Sequence, residues 1–87
     1  MLKSAVELIL SAGRPGPLGA TVTPTGVNFA VFSDHATAIL VCLFDAQGAE
    51  THRFALPERD GGIWFGHISG IGAGQLYGLR AEGPYAP

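Results

Sequence analysis

Gly26–Asp45 reads GVNFAVFSDHATAILVCLFD. Two apolar runs, Val27–Phe32 and Ala38–Phe44, flank the polar break Ser33-Asp34-His35-Ala36-Thr37. Both runs are rich in β-branched and aromatic residues and too short for typical helices, so they are expected to be strands. Alternation puts Val27, Phe29 and Val31 on one face of the first, and Ile39, Val41 and Leu43 on one face of the second. These six form the expected core. The opposite faces, Ala30/Phe32 and Leu40/Cys42/Phe44, are apolar too, and a strand apolar on both faces is usually covered on both. The break at residues 33–37 is either a hairpin turn or a crossover between two sheets.

The rest of the composition agrees with a small sandwich. At 87 residues the chain is one domain, able to bury roughly 60–65% of its unfolded surface. Hydrophobic residues make up 47% and charged residues 14%, with a net charge of -2. Disorder requires the opposite balance. Five scattered Lys and Arg make no basic footprint for nucleic acid, and no run approaches the ~18 apolar residues of a membrane span. The lone Cys42 has no internal disulfide partner and reads as a small buried hydrophobe. The lack of a disulfide framework fits the cytoplasm. Thirteen glycines and six prolines punctuate short β-like runs, which is the pattern of an all-β sandwich or barrel.

Outward from the central pair, Leu18–Val22, Glu50–Leu56, Ile63–Ile68 and Gln75–Glu82 are expected strands. They give six to seven in all. Gly13-Arg14-Pro15-Gly16-Pro17 is a breaker cluster, Asp45-Ala46-Gln47-Gly48 a hairpin turn, Pro57–Gly62 a polar loop and Ser69–Gly74 a glycine-rich loop. Trp64 and Tyr77 share faces with other apolar positions and join the expected core. Gly66, inside a strand, marks a bulge or a close approach to the backbone. Residues 1–12 read differently and are taken as an N-terminal extension. Val6, Ile9 and Leu10 fit one face of a short helix, whereas a secretory signal would need an apolar stretch that Glu7 interrupts.

Catalytic chemistry is not legible. Hydrolysis of a glycoside needs two placed carboxylates, but Asp34, Asp45, Glu50, Glu58 and Asp60 lie in or beside turns, and Glu7 and Glu82 have no apolar setting. His35, His52 and His67 lack metal-ligand spacing, so no metal or cofactor is expected. Consecutive Ser33, Asp34 and His35 do not make a triad, which is defined by geometry. Gly70-Ile71-Gly72-Ala73-Gly74 lacks a phosphate-loop ending. Binding is the better class. Sugars stack on exposed aromatic rings beside polar groups, and Phe65, with His67 and Gln75, is the candidate carbohydrate contact. Phe65 also qualifies as a docking residue, on the face of its strand opposite Trp64.

A series of segments then carries a resemblance: Pro17-Leu18-Gly19-Ala20-Thr21, Gly26–Ser33, Cys42-Leu43-Phe44-Asp45, Leu56-Pro57-Glu58, Trp64-Phe65-Gly66-His67, Gly74–Arg80 and Gly83-Pro84-Tyr85. In this order they resemble the N-terminal domain of bacterial glycogen debranching enzymes of the isoamylase type, carbohydrate-binding module family 48. The resemblance covers about residues 13–87. It implies an early-set, immunoglobulin-like β-sandwich followed in the parent enzyme by an α-amylase-type barrel that hydrolyses α-1,6 branch linkages. None of the barrel's catalytic motifs is present, so no catalytic residue carries over and the chain is expected not to be an enzyme by itself. Gly83-Pro84-Tyr85 resembles the exit toward the barrel, which makes Phe65, Pro84 and Tyr85 the expected interdomain contacts. The expected partners are that barrel and, as an alternative function, α-glucan itself (glycogen or starch), bound by aromatic stacking. The apolar backs of the central strands are expected to be the surface that a barrel would cover.

Overall fold

The computed structural model describes residues 7–83. They form eight strands: β1 Ile9–Ser11, β2 Gly19–Val22, β3 Gly26–Phe32, β4 Ala38–Phe44, β5 Glu50–Ala55, β6 Glu58–Asp60, β7 Ile63–Ser69 and β8 Leu76–Glu82. One sheet has the order β1-β7-β3-β2, with β6 also on β7, and the other has the order β5-β4-β8. All pairings are antiparallel. The architecture is an immunoglobulin-like β-sandwich.

β3 and β4 belong to different sheets, so residues 33–37 are a crossover. Ala36 in the crossover is buried in the core, and the Thr37 amide donates to the Glu82 carbonyl at 2.6 Å. Crossing over lets both central strands aim an apolar face at the same interior. Val27 and Phe29 from one sheet meet Ile39, Val41 and Leu43 from the other, with Trp64, Ile68 and Leu56 completing the cluster. Val31 is half-buried against it.

The strands connect by local chemistry. Between β4 and β5 the Asp45 carboxylate accepts the Gln47 and Ala49 amides at 2.9 and 3.0 Å, and Gly48 takes the positive φ of 87° that closes the hairpin. On β5 the Arg53 guanidinium forks onto Glu50 at 2.8 and 3.0 Å. That hydrogen bonding holds the Glu50 carboxyl below its ordinary range. Both side chains are solvent-accessible, which makes this a surface feature of small energetic weight.

Four expectations change. The predicted polar loop at residues 57–62 contains β6, and the predicted helical stretch contains β1, so there are eight strands where six to seven were expected. Both extra strands are three residues long and pair with the same edge of β7. Their identity comes from β7's unpaired backbone groups, which their own sequences do not advertise. A short isolated helix is marginal in water, whereas pairing with β7 satisfies the backbone and seats Leu10 against the core. Residues 1–6 lie outside those described. Tyr77 is 44% exposed, because among the described residues β8 is an edge strand paired with β4 alone. Its ring still meets Phe29 edge-on at 5.1 Å. Finally, the apolar backs of the central strands are covered by the domain itself. Ala30, Leu40 and Cys42 are buried, with Arg80 directly opposite Leu40 and Arg53 directly opposite Cys42, where long aliphatic stems screen apolar surface. Phe44 is half-buried, and Phe32, at 60% exposure, is exposed.

Candidate functional site

The outer face of the larger sheet carries a hollow of about 540 Å³. It forms because the lead-in segment does not follow the sheet edge but crosses its face. Asn28 is the reason. It is buried on the outward side of β3, where its side-chain oxygen accepts the Arg14 amide at 2.8 Å and its side-chain nitrogen donates to the Arg14 carbonyl at 3.0 Å. This two-way clamp holds the segment above the sheet, with Arg14, Gly16 and Pro17 on one side of the hollow and Thr21, Thr23 and His67 on the others. His67 Nε2 lies 2.8 Å from Thr23 Oγ1, and the same oxygen accepts the Gly26 amide at 3.0 Å. Hydroxyls, an imidazole and one cation line an open concavity. No carboxylate is among the described lining residues, so the paired acid and base of glycoside hydrolysis are not assembled there. The arrangement suits hydrogen bonding to a polyhydroxylated ligand.

The structure separates the sequence candidates. Phe65 and His67 alternate on the outer, half-buried face of β7, and of these two only His67 borders the hollow. Gln75 precedes the other sheet, where its side-chain amide donates to the Phe44 and Leu76 carbonyls at 3.0 and 2.9 Å; it lines a separate cavity. Pro84 and Tyr85 lie outside the described residues. Trp64 faces the core, its indole N–H donating to the Ser33 carbonyl at 3.0 Å, with the Arg59 guanidinium 4.7 Å over its ring. Gly66 is a close approach: a Cβ there would stand 2.5 Å from Pro57 Cδ. Among the described residues no group of three or more His, Cys, Asp or Glu could hold a metal. No helix among them is long and apolar enough to cross a membrane.

Sequence reading missed Arg14, Thr21, Thr23 and Asn28. Asn28 had a usable signal, being the one polar residue within an otherwise apolar core strand, and a buried polar group implies a specific partner. Replacing Asn28 with alanine is expected to lower stability by about 1–3 kcal/mol and to release the segment around Arg14. Faster amide exchange at Arg14, with β4 and β5 unchanged, is the readout; unchanged exchange at Arg14 would contradict the clamp.

Residues 17–87 match the family model for carbohydrate-binding module 48, the isoamylase N-terminal domain. The chain belongs to that family, a class of non-catalytic carbohydrate-binding domains. It is 51% identical over 78 residues to a glycogen debranching enzyme of Klebsiella pneumoniae subsp. pneumoniae, covering 90% of this chain and 12% of the relative. It is 46% identical over 78 residues to one from Enterobacter sp. strain 638 and 46% identical over 79 residues to one from Yersinia pestis bv. Antiqua, with 90% and 91% of this chain and 12% of each relative covered. The chain thus spans about an eighth of the length of the curated relatives it matches.

Proposed function

We propose that this chain is the non-catalytic accessory domain of a cytoplasmic glycogen or starch debranching enzyme. It packs on an α-amylase-type catalytic barrel, helps shape the groove for branched α-glucan, and leaves hydrolysis of the α-1,6 linkage to the barrel. The observation that carries this reading is the 51% identity over 90% of the chain to one segment of a glycogen debranching enzyme. The test is a chimera of the Klebsiella pneumoniae enzyme with this chain in place of its own matching segment. The chimera is expected to hydrolyse limit dextrin, and the isolated chain to turn over neither limit dextrin nor pullulan. A folded but inactive chimera, or turnover by the isolated chain, contradicts the proposal.

A second reading, α-glucan binding by the isolated module, is favoured by Phe65 and His67 on the outer face of β7 beside the hollow. Titration with maltoheptaose followed by NMR separates the two. Saturable shifts clustered at Phe65, His67 and Thr23 support the module. No shifts at millimolar oligosaccharide leave the accessory role alone.

A further inference from the structure

Among the described residues the sandwich has an opening between the edge strands of its two sheets. β2 and β8 are edge strands of opposite sheets, and both line a cavity of about 110 Å³ whose floor reaches the core residues Val27 and Phe29. The side chains at this opening point inward. Val22 is paired with buried Val27, and Leu79 and Tyr77 are paired with buried Val41 and Leu43. Directly opposed residues on antiparallel strands project to the same face. Yet Val22 is 57%, Leu79 46% and Tyr77 44% exposed. These are core-facing positions on edge strands, left about half-exposed among the described residues, beside a cavity that the loop residues Ile71–Gln75 also line.

We infer that this open side, between β2 and β8, is where the catalytic domain of the parent enzyme docks, presenting an apolar side chain to the small cavity. The inference rests on the accessory-domain reading above and adds the surface. One observation chooses the occupant. The matching segment is 12% of the relative's length, so about seven-eighths of such an enzyme lies outside the sandwich. A tethered domain meets the opening at an effective concentration in the millimolar range for a short linker, which a free second copy does not match. The cavity is close to the ~150 Å³ that accommodates a benzene ring. The outer face with Phe65, by contrast, is flanked by a hydrogen-bonding hollow.

Hydrogen exchange on the Klebsiella chimera, compared with the free 87-residue chain, tests this. Amides of Gly19–Val22 and Leu76–Glu82 are expected to exchange at least about tenfold more slowly in the chimera. Leu79→Asp, at a half-exposed position, is expected to abolish that protection in the chimera while leaving the free chain folded by near-ultraviolet circular dichroism; Phe65→Ala is expected to change nothing there. The wild-type map decides the matter even if Leu79→Asp fails to fold. Protection confined to β7 around Phe65 and His67 would overturn this inference and leave the accessory-domain reading standing. Protection nowhere in an active chimera would likewise remove the docking surface. Equal protection in the free chain, lost on dilution, would assign the opening to a second copy and overturn the inference as well. Loss of debranching by a folded chimera defeats the parent reading itself, an outcome separate from any of these.

Discussion

Replacing Phe29 with alanine is expected to destabilise the domain by about 3–5 kcal/mol, the largest effect of any single truncation here. Phe29 is 1% exposed and sits where the two sheets are held together. Its ring belongs to the buried cluster shared by both sheets and meets Tyr77 of β8 edge-on. Removing it deletes apolar burial from the larger sheet and leaves a cavity continuous with the opening beside Val22. An 87-residue domain typically holds about 5–15 kcal/mol in total, so this one truncation removes a large share of it. Urea denaturation followed by Trp64 fluorescence measures it. A loss below about 1 kcal/mol would mean that the sheets close over the gap and that Phe29 is not the central contact.

Gly26→Ala is expected to cost about 2–3 kcal/mol, although it adds a single methyl group. A Cβ at Gly26 would be driven into the Ile68 carbonyl oxygen and stand 2.8 Å from the Ser69 Cα, both of them backbone of β7. Backbone cannot rotate aside as a flexible side chain does, so β3 and β7 must separate where they pair at Gly26 and Ser69. Gly72→Ala is the control: its added Cβ meets nothing within 4 Å, and a change within about 0.5 kcal/mol is expected. Equal effects at the two positions would refute the close-approach argument.

The contrast between these glycines shows how far the sequence could be read. Both sit in turn-like contexts, and composition alone does not rank them. Their different weights come from β7, more than 35 residues downstream of Gly26. The same holds for β1 and β6, three-residue strands created by pairing with a long neighbour, and for Gln75, whose amide is spent on two carbonyls. By contrast, β3, β4 and β7 were legible, because a short run rich in apolar, β-branched and aromatic residues is a property of the segment itself. Asn28 lies between these cases. Its polarity in an apolar strand flagged a partner, but the partner, the backbone of Arg14, is fixed only by folding. The candidate site follows the same division: His67 and Phe65 could be placed on the outer face of β7 by counting, whereas the hollow beside them depends on where a distant segment crosses the sheet.

By itself the sequence determined the all-β class, the central strands, the inward sets Val27/Phe29 and Ile39/Val41/Leu43, and the family resemblance. Local periodicity and ordered motifs carry all of these. Only the tertiary structure decided that the apolar backs of β3 and β4 are largely covered, and that Val22, Tyr77 and Leu79, core-facing by register, are left about half-exposed at the β2–β8 opening. The physical reason is that exposure belongs to the pairing of elements. Among the described residues β2 and β8 each have a neighbouring strand on one side only, and no pattern within either strand records that.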